Sequence, residues 1–260
     1  MIRTVSATRY ITPLRQGGSL PALVEADDES LYVMKFAGAG QGPKALVAEL
    51  VAGEIGRALG LRVPELVFIV LDPGLGADEP DSEIRGLLAA STGLNLGLRF
   101  LPYSFEYNPL LKPPPEPAEA SAIVWFDAYV TNVDRSPRNV NMLSHRRQLW
   151  LIDHGACLYF HHDWRDYMAR SRTPFAAIRT HALLRFARVL AEADAALKPK
   201  LTPDVIGGII SLIPDVWLKD GVPFNTPTET RQAYSRWLLS RLDASQLFVE
   251  EAQNARPKFV

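Results

Sequence analysis

Five polar side chains stand where regular elements should end, and together they could move a phosphoryl group. Lys35 lies near the end of the apolar run 31–36, and Glu49 lies on the helical stretch that follows. Asp134 and Asn139 share the polar run 132–139, and Asp153 follows the apolar run 149–152, just before His154-Gly155. Phosphoryl transfer from ATP is catalysed by positioning and charge neutralisation rather than by covalent chemistry with the protein. It calls for a lysine on the α- and β-phosphates and a glutamate that orients the lysine. One aspartate aligns the acceptor hydroxyl and takes its proton. An asparagine and a second aspartate offer hard oxygens to Mg2+. On this reading Lys35, Glu49 and Asp134 are catalytic, and Asn139 and Asp153 are the metal ligands.

Spacing alone does not select these residues. The chain holds three Asp–Asn pairs five residues apart: Asp127/Asn132, Asp134/Asn139 and Asp220/Asn225. Only Asp134/Asn139 lies between a helix and an apolar strand ending in Asp-His-Gly, so context selects it. Asp127 falls inside the predicted helix, and changing it to Asn is expected to leave the chemical step far less affected. Asn141 rivals Asn139 for the metal but lies two residues further from Asp134.

The elements that must position these groups can be read from pattern. Runs 4–14, 21–25 and 31–36 are β-branched or apolar and are separated by turn residues, predicting a meander of antiparallel hairpins. Pro43 suits the first position of a helix that Gly60 stops. On that helix Glu49 shares a face with Ala45, Ala52, Gly53 and Gly56, so another element can approach closely. Residues 65–71 read as a buried strand, 72–83 as an acidic loop, and 97–101 as a further strand. Residues 102–117, with Pro113-Pro114-Pro115, form the clearest break in composition. Beyond it, 119–131 reads as a helix and 140–144 and 148–152 as strands around a His145-Arg146-Arg147 turn. Residues 175–197 read as helical, Thr202-Pro203 opens another helix, and Thr226-Pro227-Thr228-Glu229 is a capping box.

Composition narrows the classes further. The chain has 260 residues, is 47% hydrophobic, and carries 28 basic against 29 acidic side chains. That balance gives no bulk electrostatic case for nucleic acid. The single cysteine, Cys157, permits no internal disulfide and fits a reducing compartment. The uncharged stretch 86–98 is far shorter than the ~20 residues of a membrane span, and the first residues lack a signal-peptide core. The expectation is a cytoplasmic protein with no membrane or nucleic-acid partner. His161-His162-Asp163 is poor geometry for one zinc ion, since adjacent histidines point apart.

The motifs, in this order, resemble those of the HipA-like kinases, a branch of the protein-kinase-like superfamily related to phosphoinositide kinases. Tyr32-Val33-Met34-Lys35-Phe36 resembles the lysine strand. Ala48-Glu49-Leu50 and Ala58-Leu59-Gly60-Leu61-Arg62-Val63-Pro64 resemble the family's helix and its exit. Asp134-Arg135-Ser136-Pro137-Arg138-Asn139 resembles the catalytic loop, with Ser136 where histidine would stand, and Leu151-Ile152-Asp153-His154-Gly155 resembles the metal-binding segment. Arg99, Phe100 and Leu101 would correspond to the hinge beside adenine, and Gly17 and Gly18 could offer backbone N–H groups to phosphates. The resemblance implies an α+β, bilobal protein-kinase-like fold. A small antiparallel sheet with one main helix would occupy 1–101, and a mainly helical lobe 102–260. It also implies an ATP- and Mg2+-dependent kinase acting on a protein Ser/Thr or a small-molecule acceptor. The alternatives are a nucleotide-binding pseudokinase or interaction module, and a phosphoinositide or other small-molecule kinase.

Overall fold

The computed structural model describes residues 2–14, 20–77, 79–110, 112–219 and 221–256. The glycine turn at Gly17 and Gly18 therefore lies outside the described residues. Five strands, β1 (Thr4–Pro13), β2 (Ala22–Ala26), β3 (Leu31–Lys35), β4 (Leu66–Leu71) and β5 (Gly93–Arg99), close a barrel in the order β1-β2-β3-β5-β4. The meander expectation holds for β1-β2-β3. The expected antiparallel sheet does not: β4 pairs parallel with β1, Thr4 lying opposite Phe68, and closes the sheet on itself. Closure removes the exposed edges that an open sheet would leave. Its interior is filled by Val5, Val24, Tyr32, Met34, Val67 and Ile69. Gly97 is part of that fit, because a Cβ there would stand 2.4 Å from Ile69 Cδ1.

Alternation along β3 sets up the site. Tyr32 and Met34 turn into the barrel, so Val33 and Lys35 face the other way, toward a cleft. Helix α1 (Pro43–Leu59) follows, with proline in its first turn and Gly60 at φ 88° as its left-handed stop. Most of α1 from Leu46 to Leu59 is buried, because the helix is packed on two sides at once. Gly53 lies against Leu66, and Gly56 against Val63 and Phe126. The close approach expected of those small residues is what the structure shows.

Helix α2 (Ser82–Ala90) occupies part of what read as an acidic loop and uncharged run, and Asp81 caps it. The short strand β6 (Phe105–Glu106) lies within the proline-rich stretch, and α3 (Pro117–Tyr129), β7 (Met142–His145) and β8 (Gln148–Leu151) come next. The β7–β8 turn is the expected Arg146-Arg147 pair, both at positive φ. Residues 175–197 are not one helix. They form short 3-10 turns and then α5 (Leu190–Leu197), preceded by the single turn α4 (Tyr167–Arg170). Pro174 stands just before the segment, and the buried hydrogen bonds of His181 divide it. Helices α6 (Pro203–Ser211), α7 (Pro227–Asp243) and α8 (Ser245–Ala255) complete the chain, with the predicted capping box at Thr226 and Glu229. One apolar core runs from α1 through α3 to α8.

Candidate active site

The cleft has a volume of about 730 Å³. Its apolar lining includes Val33, Leu98, Phe100, Leu101, Met142 and Ile152, and its polar lining includes Lys35, Asp134, Asn139, Asn141 and Asp153. Residues from distant parts of the sequence thus converge on one cavity. Arg99 also lines it, while its guanidinium carbon lies 5.7 Å from the centre of the Tyr32 ring.

Lys35 is held by two carboxylates. Its Nζ donates to Glu49 Oε2 at 2.5 Å and to Asp153 Oδ1 at 2.5 Å. Burial alone would lower the lysine pKa; Glu49 and Asp153 more than reverse that, so the ammonium is retained. Glu49 is fully buried on α1, which would raise its pKa, yet Lys35 and then His154 hold it at about 2. The backbone N–H of His154 donates to Glu49 Oε2 at 2.7 Å, and its ring Nδ1 lies 3.2 Å from Oε1. The residue after Asp153 therefore helps to fix the glutamate that fixes the lysine, a role that sequence order alone did not suggest.

The loop behind Lys35 is also secured. The side chain of Asn95 accepts from Ala37 N–H at 2.8 Å, and Ser91 Oγ accepts from Gly38 N–H at 3.1 Å. Both were missed in the sequence, where they read as ordinary residues of an uncharged run. The α1 exit is tied to the other wall, since Leu151 N–H donates to Arg62 O at 2.8 Å.

Asp134 lies in the loop after α3, half-buried at the cleft. Asn139 also lines the cleft, but it belongs to a tight turn in which its backbone exchanges hydrogen bonds with Ser136. Asn141 lies deeper. Its Nδ2 donates to Asp134 O at 3.0 Å and to Asp134 Oδ2 at 3.3 Å. Its carbonyl accepts from Ile152 N–H at 3.1 Å, so the β7–β8 register brings it opposite the residue before Asp153. Both Asn141 (φ 46°) and Asp153 (φ 56°) adopt the left-handed conformation, which short polar side chains tolerate better than most. Asn139 and Asn141 thus both line the cleft, and the hairpin register sets Asn141 beside Asp134.

Asp127 is not a bystander in α3. It is fully buried and paired with Arg135, next to Asp134 in the chain, with Nε to Oδ2 at 2.6 Å. His161 is buried against the Tyr234 hydroxyl at 2.9 Å, and among the described residues no group of three or more His, Cys, Asp and Glu side chains is placed to hold a metal. Cys157 is buried, and its thiol pKa is pushed up by that burial. No helix among the described residues is long and apolar enough to cross a membrane.

With this geometry in place, comparison with known proteins gives the class. The sequence matches the HipA-like kinase family over residues 8–250, and the chain belongs to that family. No curated protein matches it. The fold is similar to the Helicobacter pylori proinflammatory kinase CtkA, with a TM-score of 0.58 and 12% identity over 98% of both chains. It is also similar to the Golgi casein kinase solved with Mn/ADP bound, with a TM-score of 0.54 and 13% identity, covering 96% of this chain and 74% of that one. The chain therefore has the α+β fold of kinases and the family of kinase-like phosphotransferases.

Proposed function

We propose that the protein is an ATP- and Mg2+-dependent kinase, with residues 1–101 and 102–260 acting as its two lobes. The observation that carries this reading is the convergence of Lys35, Asp134, Asn141 and Asp153 on one cleft that also has an apolar wall, with Glu49 buried behind Lys35. The apolar wall suits a purine, with Phe100 and Leu101 at its edge. Lys35, oriented by Glu49, takes the α- and β-phosphates. The donors available to a metal are a carboxylate at Asp153 and amide oxygens at Asn141 or Asn139, the hard oxygen set that Mg2+ prefers. Bound there, Mg2+ would neutralise phosphate charge during transfer. Asp134 accepts the proton of the acceptor hydroxyl as its oxygen bonds to the γ-phosphorus and ADP leaves. The acceptor we favour is a protein Ser or Thr; the casein kinase neighbour is named for a protein acceptor.

The test is nucleotide binding and turnover by the purified protein. Mg-ATP should raise its melting temperature, and ADP should form with phosphate transfer to itself or to a screened acceptor. Lys35→Met should abolish both effects. A wild-type protein that neither binds ATP nor forms ADP would overturn the reading, as would a Lys35→Met variant that keeps both properties.

A further inference from the structure

We propose that Asp127 is a positioning residue: one buried carboxylate beneath the cleft that holds the segments of Asp134, Asn141 and Asp153 in mutual register. The proposal rests on the kinase reading of the site.

Three side chains donate to this carboxylate. Asn132 Nδ2 reaches Oδ1 at 2.8 Å, Arg135 Nε reaches Oδ2 at 2.6 Å, and His181 Nε2 reaches Oδ2 at 2.8 Å. The histidine tautomer follows from the structure: Leu183 N–H donates to His181 Nδ1 at 3.0 Å, so the ring proton is on Nε2 and points at Asp127. Each donor carries the link onward. The carbonyl oxygen of the Asn132 side chain accepts from Asp134 N–H at 3.0 Å, fixing the backbone of the catalytic aspartate. Arg135 Nη1 donates to the carbonyl of Asn141 and lies 3.5 Å from that of Ile152, the residue before Asp153. His181 brings in the segment downstream of Asp153, and Ala182 N–H donates to Arg135 O at 3.0 Å.

Lys35, Glu49 and the apolar wall, by contrast, have no hydrogen bond to Asp127 among the described residues. The network therefore reaches the half of the cleft that carries Asp134, Asn141 and Asp153 through its own hydrogen bonds, and the Lys35–Glu49 half only through the Lys35–Asp153 contact. A purely structural residue would affect both halves together. A positioning residue would affect only the half that carries metal and acceptor chemistry.

Asp127→Asn places an amide N–H among donors, so at least one of the three links must break. His181→Leu removes one donor and spares the carboxylate, and His181→Gln restores a side chain that can donate at one end and accept at the other. The experiment measures ADP formation from Mg-ATP and, separately, ATP binding in EDTA, on variants shown to be folded by circular dichroism. Misplacing reacting groups by ~1 Å costs about 100-fold. Asp127→Asn should therefore lose about 100-fold in kcat with metal-free ATP binding unchanged. His181→Leu should lose activity in the same pattern but to a smaller extent, and His181→Gln should recover most of it.

Wild-type kcat in Asp127→Asn and His181→Leu would overturn the proposal. So would parallel losses of kcat and metal-free binding, or no recovery in His181→Gln. If Asp127→Asn does not fold, the two His181 variants decide the matter by the same criteria. A wild-type protein without ATP binding or turnover would instead overturn the kinase reading, and this proposal with it.

Discussion

Replacing Glu49 with Gln removes one charge from the buried centre of the site while keeping its size. In the wild type the carboxylate accepts from Lys35 Nζ at 2.5 Å and from His154 N–H at 2.7 Å. Its pKa is lowered from 4.5 to about 2, so its contribution to stability is fully present above the unfolded value and is lost as pH falls through the folded one. That interval corresponds to about 3 kcal/mol at neutral pH. Breaking a buried pair costs roughly the same, ~3–5 kcal/mol, and Asp153 remains as a partner for Lys35, so the lower end applies. For a chain of this size the melting temperature should fall by about 6 °C. Thermal unfolding of both proteins at pH 7 and pH 3 checks the sign as well as the size. At pH 3 the gap should shrink to less than half its neutral value, because the unfolded wild-type glutamate is then protonated and the advantage of ionising it in the fold is reduced. Equal melting temperatures at pH 7, or a gap as wide at pH 3 as at pH 7, would refute the reasoning.

Other expectations follow from particular contacts. In Mg2+ titrations of ATP binding, Asp153→Ala should lose most, Asn141→Ala next and Asn139→Ala least, since hairpin register brings Asn141 to Asp134 and leaves Asn139 in the turn; a larger loss from Asn139→Ala would reverse the assignment. Gly97→Ala places a Cβ 2.4 Å from Ile69 Cδ1 inside the barrel, and overpacking of this kind costs about 1–3 kcal/mol in denaturant unfolding. An unchanged midpoint for Gly97→Ala would mean that the barrel yields there without cost.

Local physics made part of this molecule legible in its sequence. Helix α1 declared itself through Pro43 and Gly60, α7 through its capping box, and the β7–β8 hairpin through two short runs around the His145-Arg146-Arg147 turn. Lys35 could be placed because the end of an apolar strand is a natural edge for a charged group. What escaped was non-local. The parallel β1–β4 pairing joins residues more than sixty apart, and no local pattern encodes it. The broken segment 175–197 read as helix because its composition is helical, while His181 is committed to a buried bond that periodicity does not reveal. Asp127 seemed a harmless helix residue because its partners Arg135 and His181 lie outside that helix. Asn139 and Asn141 both line the cleft, and counting along the chain does not show which of them the hairpin sets beside Asp134.

The most direct test of the account is the chemical step itself in Asp134→Asn. The amide keeps the size of the side chain, and its oxygen can still accept from Asn141 Nδ2, now 3.3 Å from Asp134 Oδ2, so the loop should hold its shape. It cannot take the acceptor's proton, and general-base groups contribute ~10²–10⁴-fold. Single-turnover ADP formation with saturating Mg-ATP should therefore fall by about that factor in Asp134→Asn, while the melting-temperature rise on adding Mg-ATP stays as in the wild type. Transfer at the wild-type rate by the folded, nucleotide-binding variant would contradict the assignment of this cleft as a site of phosphoryl transfer through Asp134.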